Sequence, residues 1–341
     1  MTTTQTSVVH DLGTLAHRLS HPARTPCVCE PPQVLADRPD GTVVRSGAIV
    51  AKAHAADTDR AALTARIALA AAPQLAGILL PPLTAPEPAA PTARPVTLWP
   101  LGAPVDPTDP GAAPWAEAAD LLARLHRTEP PFPLPPMRGP AKAARAVARM
   151  RAALRGDAIT PPRDPAVEPG DATAPPRDPA VLSVLAGWRA LPAWARGEAP
   201  APAPRADALC HGDLHLGQLV RHPAPDGPWL LIDMDDAGVG DPAWDLGRPA
   251  AWYAAGLLAP EDWSTFLDAY RAAEGPAVPA DGDPWPALDV PARALTVQTA
   301  AVALAKCAAE QRDPDDHEQL MIESCARIAT LPPELATGPA S

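Results

Sequence analysis

Long apolar runs, aromatic residues and lysine are all scarce in this chain of 341 residues. No stretch approaches the roughly eighteen consecutive apolar residues that a membrane-spanning helix needs. The opening residues, MTTTQTSVVHDLG, have neither the basic start nor the apolar stretch of an export signal. We therefore expect a cytoplasmic protein without a membrane partner. An apolar content of 47% still allows a sizeable core.

Cysteine is limited to five residues, an odd number without the grouping of a metal site. Cys27 and Cys29 alternate on a predicted strand, Thr25–Glu30, and would share one face. That placement favours a core or edge position over metal binding. Free thiols of this kind are typical of a reducing cytoplasm.

Negative charge is concentrated in one part of the chain. Residues 1–200 have a net charge of +2, whereas residues 201–341 contain 22 acidic and 8 basic residues, a net charge of −14. An excess of this size favours a cationic substrate and repels nucleic acid. The alternative is that these carboxylates serve a metal, loop structure and solubility.

Two apolar segments in this acidic part each end in an aspartate. The first, CHGDLHLGQLV at 210–220, presents Asp213, and the second, LLIDMDD at 230–236, presents Asp233. In-line phosphoryl transfer needs one carboxylate to receive the proton of a hydroxyl and another to hold Mg²⁺. Asp213 fits the first role. Asp233, with the amide oxygen of Gln218, fits the second.

The order and spacing of these elements resemble the aminoglycoside phosphotransferase family and its relatives within the protein-kinase-like fold, including choline kinases and small sugar kinases. The chain departs from the family pattern at Gln218, where the family has asparagine. The phrase His-Leu-Gly-Gln is similar to one in maltokinase and glucosamine kinase branches. The matching positions are His211, Gly212, Asp213, Gln218, Asp233, Gly240-Asp241-Pro242 and Asp245.

The resemblance implies an α+β, bilobal fold with a small β-rich N-terminal lobe and a larger, mostly helical C-terminal lobe. We expect the lobes at residues 1–100 and 101–341, with a flexible Pro-rich insert at about 157–180. The insert repeats the sequence PPRDPAV at 161–167 and 175–181.

The resemblance also implies a nucleotide site for ATP, with GTP left open. Lys52, inside the strand predicted at 48–54, would reach the phosphates, and the alternative is an exposed edge-strand lysine. Trp99 and Leu101 would contact the adenine. The helix predicted at 57–72 lacks the glutamate that usually pairs with the strand lysine. Its partner would be Asp57 or Asp59, or would come from elsewhere.

The other motif residues have supporting roles in this interpretation. His211 is expected to lock the catalytic loop by hydrogen bonding. One of Asp235 and Asp236 would touch the metal or the substrate, and the sequence does not say which. Asp241 and Asp245 would pin the loop backbone or cap the following helix.

Three further helices are expected after this block, at 242–258, 260–273 and 291–331, the last of them one helix or two. Two helices before the motifs are interpreted structurally. Trp115–Arg127 is amphipathic, and its His126 is assigned to packing and capping. The basic helix at 140–155, which includes Lys142, is interpreted as a solvated face.

The predicted function is phosphate transfer from ATP to a hydroxyl of a small, sugar-containing acceptor. An aminoglycoside-like antibiotic or amino sugar is preferred, which would give antibiotic resistance. The alternatives are a metabolic sugar kinase of the maltokinase or glucosamine kinase type and a kinase of neutral nucleoside antibiotics. A non-catalytic pseudokinase is a further alternative, favoured by the missing helix glutamate and by Gln218.

Overall fold

The computed structural model describes residues 3–21, 29–38, 41–83, 94–155, 178–203 and 207–332. Within these ranges the structure is a mixture of strands and helices. The strands are β1 (Gln33–Arg38), β2 (Gly41–Ser46), β3 (Ile49–His54), β4 (Val96–Pro100), β5 (Ala103–Pro104), β6 (Ala208–Cys210), β7 (Leu219–Arg221), β8 (Trp229–Leu231) and β9 (Gly238–Gly240). The α-helices are α1 (Thr3–Ser20), α2 (Arg60–Ala70), α3 (Trp115–Arg127), α4 (Gly139–Arg155), α5 (Pro179–Ala190), α6 (Ala243–Ala255), α7 (Pro260–Ala272), α8 (Trp285–Glu310) and α9 (Asp316–Ile328).

The four strands β1 to β4 form one antiparallel sheet in chain order. Helix α1 covers one face of this sheet, where Leu12 packs in a common core with Val44 and Ala51. Successive side chains of a strand point to opposite faces. Since Ala51 and Ala53 join the core under α1, Lys52 and His54 lie on the other face of β3.

A large hydrophobic core lies between helices. Helix α8 contacts α4, α5, α6 and α9, so it is buried around most of its circumference. Alanines at positions such as Ala294, Ala300 and Ala301 let these neighbours approach closely. Cys210, at the end of β6, belongs to the same core, which fixes the start of the segment that carries Asp213.

The chain forms two compact units that are not continuous in sequence. The strand-rich unit comprises Met1–Leu121, Thr128–Pro135 and Leu216–Asp235, and the helical unit comprises Leu122–Arg127, Pro136–His215 and Asp236–Ser341. The functional lobes at 1–100 and 101–341 stay a prediction. They are not the same division as these units, because β7 pairs with β5 and β8 pairs with β7, which places residues 216–235 in the strand-rich unit.

Most predicted elements are present with small differences at their ends. The helix predicted from residue 57 begins at Arg60, because Asp59 is its N-cap and accepts hydrogen bonds from the N–H groups of its first turn. The predicted helix at 291–331 is two helices, α8 and α9. The second begins at a capping box formed by Asp315 and Glu318.

Two helices, α1 and α5, were not expected from the sequence. Helix α5 begins at Pro179, with the Asp178 carboxylate accepting the N–H of Ala180 at 2.8 Å. The last two residues of the predicted insert, 179 and 180, are therefore helical, and its residues 157–177 lie outside the described part of the chain. The strand predicted at 25–30 is also largely outside them. Its last two residues, Cys29 and Glu30, belong to no strand, and Cys29 is exposed.

Among the helices in the described ranges, none has the length and apolar character needed to cross a membrane.

Candidate active site

Lys52 on β3 forms two short ion pairs with aspartates that follow β8 in the strand-rich unit. Its Nζ lies 2.6 Å from Asp233 Oδ1 and 2.9 Å from Asp235 Oδ2. Burial acts to lower the pKa of Lys52, but the charges of the two aspartates outweigh it and hold the pKa above its ordinary value. The partner of the strand lysine therefore comes from the end of a strand, and Asp59, considered for this role, caps α2 instead.

Asp233 has a backbone conformation that is uncommon for a residue with a side chain. Its φ is 63°, in the left-handed region that aspartate and asparagine tolerate better than most residues. Its Oδ1 accepts from Lys52, and its Oδ2 lies 3.5 Å from the side-chain nitrogen of Gln218. A flip of that amide would exchange its nitrogen and oxygen. A carboxylate beside an amide oxygen is the hard oxygen donor set that Mg²⁺ prefers, so Asp233 and Gln218 fit this ion.

A hydrogen-bonded chain on the same face of the sheet connects Asp235 to β4. His54 Nδ1 lies 3.0 Å from Asp235 Oδ2, and its Nε2 lies 2.9 Å from Thr97 Oγ1. The indole N–H of Trp99 donates to the same hydroxyl at 3.0 Å. Because the imidazole of His54 is buried, these contacts fix the orientation of the Asp235 carboxylate and of the Trp99 indole on β4.

The backbone of Leu101 is occupied by contacts within the strand-rich unit. Its N–H donates to the carbonyl of Ala48 at 2.8 Å, and its carbonyl lies 3.3 Å from His222 Nδ1. The N–H is therefore already used, whereas the carbonyl oxygen has a second lone pair that an adenine amino group could use. Adenine binding by Trp99 and Leu101 stays a prediction.

In the helical unit, the buried carboxylate of Asp245 holds the His-Gly-Asp loop. It accepts the N–H of His211 at 2.6 Å and the N–H of Gly212 at 2.7 Å, and it lies 3.1 Å from His126 Nε2. Burial raises the pKa of Asp245, but the hydrogen bond from His126 and the neighbouring donors outweigh it and lower the pKa. His126 Nδ1 is 2.7 Å from the hydroxyl of Tyr270, so this histidine has the structural position that was expected.

Gly212 is required at the centre of this loop for two reasons. Its φ is 84°, which side-chain-bearing residues rarely adopt. A Cβ at this position would lie 2.3 Å from the carbonyl oxygen of Asp236, a distance that backbone atoms cannot accommodate. After this turn, the N–H of Asp213 points to His211 Nδ1 at 3.3 Å. The imidazole of His211 thus contacts the loop itself.

Asp213 has a cation on each of its two carboxylate oxygens. Arg248 Nη2 lies 2.5 Å from Oδ1, and Lys142 Nζ lies 2.7 Å from Oδ2. Lys142 is also 2.7 Å from Asp236 Oδ2, so the two aspartates share it. Burial raises the pKa of Asp213, but Lys142 and Arg248 outweigh it and hold the pKa well below its usual range. Asp213 is therefore ionised and fixed in orientation at neutral pH.

The structure assigns the remaining motif aspartates to different neighbours. Asp235 pairs with Lys52 and His54 in the strand-rich unit, whereas Asp236 pairs with Lys142 in the helical unit. Asp241 Oδ1 accepts the N–H of Ala243 at 2.9 Å, which satisfies a donor in the first turn of α6.

Three residues of these clusters escaped the sequence analysis. Lys142 was assigned to a solvated face, but its side chain is only 16% exposed and forms two ion pairs, so that assignment was wrong. The available signal was the scarcity of lysine, because the chain has only three lysines and one of them lies in helix α4. His54 lies two residues after Lys52, so the sequence already indicated that both side chains share one face of the strand. Arg248 had no distinguishing signal.

The comparisons with known proteins identify the family of this chain. Residues 41–289, more than half of the chain, match the family model described as the phosphotransferase enzyme family, which includes the aminoglycoside phosphotransferases. The chain belongs to this family. Among curated proteins, no sequence matches the phosphotransferase chain significantly.

Solved structures with low sequence identity share the fold of this phosphotransferase. A thermostable mutant of aminoglycoside phosphotransferase APH(4)-Ia, in a ternary complex with AMP-PNP and hygromycin B, is 13% identical with a TM-score of 0.54, over 95% of this chain and 98% of that one. Choline kinase from Cryptosporidium parvum Iowa II is 10% identical with a TM-score of 0.53, over 90% of each chain. Choline kinase from Streptococcus pneumoniae is 13% identical with a TM-score of 0.50, over 88% of this chain and 93% of that one.

Family membership and fold together confirm the coarse prediction. The protein has the α+β, protein-kinase-like fold, and it is a small-molecule phosphotransferase that acts on a hydroxyl group. The acceptor and the roles of individual residues go beyond these comparisons.

Proposed function

We propose that this phosphotransferase transfers the γ-phosphate of ATP to a hydroxyl of a sugar-like acceptor that Asp213 orients. The observation that carries this proposal is the double ion pair of Asp213 with Lys142 and Arg248. Because its pKa is so low, the Asp213 carboxylate is a weak base at the start of the reaction. It can, however, accept a hydrogen bond from the substrate hydroxyl and so orient it. The loose transition state of phosphoryl transfer needs such orientation more than early proton removal.

The nucleotide side of the reaction is assigned to the cluster around Lys52. Its ammonium group would neutralise charge on the phosphates, and Asp233 with Gln218 would hold Mg²⁺. When bound, this ion screens the negative charge of the nucleotide phosphates. Two observations support the assignment: the donor set of Asp233 and Gln218, and the AMP-PNP bound to the related aminoglycoside phosphotransferase.

For the acceptor we propose a neutral, hydroxyl-rich molecule, such as a metabolic sugar or a neutral nucleoside antibiotic. The charge of −14 in residues 201–341 had favoured a cationic acceptor. The basic helix α4 belongs to the same compact unit as Asp213, however, and that unit contains 25 acidic and 19 basic residues, a net charge of −6. Lys142 and Arg248 also neutralise the carboxylates of Asp213 and Asp236.

An amine-bearing acceptor, such as an aminoglycoside or amino sugar, is the second candidate. It is favoured by the acidic excess that remains in the helical unit and by the aminoglycoside bound to a protein of the same fold. Phosphorylation of an aminoglycoside would make the protein an antibiotic-resistance enzyme.

A matched pair of acceptors separates the two candidates, because glucose and glucosamine differ by one amine. ADP formation and phosphorylated product would be measured with both, together with maltose, a neutral nucleoside antibiotic and an aminoglycoside, at low and high salt. We expect turnover of a neutral acceptor with a KM that is insensitive to salt. Turnover confined to amines, with a KM that rises with salt, would establish the second candidate instead.

A further inference from the structure

Three side chains at the C-terminal end of α1 form a group to which the proposed phosphate transfer assigns no role. They are His17, His21 and Cys29, and their ligand atoms all lie within 4.8 Å of one another. Cys29 Sγ lies 2.9 Å from His21 Nε2, and the two imidazole rings have centroids 5.0 Å apart.

Helix geometry explains why the two histidines meet. Residues four apart lie on one face of a helix, one turn above each other. His17 is in the last turn of α1, and His21 directly follows the helix, its N–H donating to the carbonyl of His17 at 3.0 Å. Cys29 then approaches this pair from eight residues further along the chain.

The donor atoms are those of a zinc-type site. Two imidazole nitrogens and one thiolate suit Zn²⁺ and neighbouring soft divalent ions, whereas Mg²⁺ and Ca²⁺ prefer oxygen. Zn–N bonds of about 2.0–2.1 Å and Zn–S bonds of about 2.3 Å place tetrahedral ligand atoms roughly 3.3–3.6 Å apart. The group is therefore within small side-chain movements of a ligand shell. Three protein ligands also leave one position for water.

A second group of similar composition differs from this one in its burial and in the hydrogen bonds that it makes to the catalytic loop. His126, Cys210 and Asp245 are buried together, but both nitrogens of His126 have hydrogen-bond partners and Asp245 accepts two backbone N–H groups. Binding a metal there would break the bonds that hold the catalytic loop. The group at the end of α1 lies at the surface, where His21 and Cys29 are exposed and a metal can enter.

We propose that His17, His21 and Cys29 bind one Zn²⁺-type cation. The ion fastens Cys29 to the end of α1, the helix that covers the sheet carrying Lys52. Binding requires the thiolate and neutral imidazoles, so it releases protons and weakens as the pH falls.

The test uses the purified full-length chain and Zn²⁺ alone, titrated in competition with a chromophoric chelator. We expect one equivalent of Zn²⁺ to bind, with affinity reduced more than tenfold in His21→Ala and in Cys29→Ser. His10→Ala is the matched control, because His10 is an exposed histidine on the same helix, and its affinity should be unchanged.

Substitution with Co²⁺ supplies an independent signature. A cobalt–thiolate charge-transfer absorption should appear with the unaltered chain and vanish in Cys29→Ser. Thermal melts without metal keep the test interpretable, since replacing exposed side chains should leave the melting temperature nearly unchanged. Failure to bind Zn²⁺, or binding that both variants retain, would overturn the proposal without touching the phosphotransferase assignment.

Discussion

Replacing Lys142 with methionine tests the electrostatic arrangement around Asp213. The substitution keeps most of the aliphatic stem and removes the ammonium group, which lies 2.7 Å from Asp213 Oδ2 and 2.7 Å from Asp236 Oδ2. The three side chains are 16%, 26% and 17% exposed, so solvent replaces the lost charge poorly. Arg248 still contacts the other oxygen of Asp213.

The expected loss of stability follows from these contacts. A charge-assisted hydrogen bond contributes about 1.5–3 kcal/mol, and breaking a fully buried pair costs about 3–5 kcal/mol. Partial exposure and the remaining Arg248 reduce this cost, so we expect the free energy of unfolding to fall by about 2–4 kcal/mol. Because Asp213 loses orientation at one oxygen, kcat should fall by about 10–100-fold, equivalent to about 1.4–2.7 kcal/mol.

The pH dependence separates this role from a merely structural one. Lys142 lowers the pKa of Asp213, so its removal raises that pKa and moves the acid limb of kcat to higher pH. A carboxyl whose pKa is depressed by folding stabilises the protein above its unfolded pKa of about 3.9, and this stabilisation is lost as pH falls through the folded pKa. The stability difference should therefore be largest above about pH 5 and shrink below about pH 4.

The assay is steady-state ADP release from about pH 3.5 to 9, which covers an acid limb near the ordinary aspartate pKa of about 3.9 in the variant, combined with urea unfolding. Arg149→Met is the matched control, since Arg149 is an exposed basic residue on the same helix, and Lys142→Arg should restore part of kcat. A Lys142→Met protein with unchanged kcat and an unchanged acid limb would refute the reasoning, because Asp213 would then need no help from this cation.

Three further outcomes are expected. Asp233→Ala should abolish the part of ATP affinity that depends on Mg²⁺, measured by calorimetry with and without the ion, and an unchanged Mg²⁺ dependence would remove Asp233 from the metal site. Gly212→Ala should lower the melting temperature and kcat together, because its Cβ meets the Asp236 carbonyl, and a fully active, stable variant would contradict the close approach. Asp245→Asn should lower the free energy of unfolding by about 2–3 kcal/mol at neutral pH, with the difference shrinking below about pH 4; a difference independent of pH would contradict the ionised state of Asp245.

The sequence predicted the fold well where the pattern was local. The strand that carries Lys52 and the amphipathic helix α3 can be recognised from the spacing of their apolar residues. The two aspartate-bearing segments can be recognised because each is a short apolar run followed by aspartate. Helix α1 was missed although Leu12, Leu15 and Ala16 have helical spacing. Its threonines, valines and Gly13 favour helix weakly, and its stability comes from packing on the sheet, which no local signal shows.

The site was predictable only in part, because several of its residues are joined across long separations. Lys52 meets aspartates 181 and 183 residues further along the chain, and Lys142 meets Asp213 and Asp236. A single sequence indicates which side chains have useful chemistry but not which of them pair. For the same reason Lys142 was interpreted by its neighbours in sequence, as part of a basic helix surface.

The central claim is tested most directly by single-turnover phosphate transfer in Asp213→Asn. With saturating Mg²⁺ and ATP, and the best acceptor from the glucose and glucosamine comparison, we expect the rate to fall by about 10²–10⁴-fold. The affinity for ATP should change less than about twofold, because Asp213 is assigned to the acceptor. Transfer at a near-normal rate, or a loss of ATP binding in a folded variant, would contradict this account of the site.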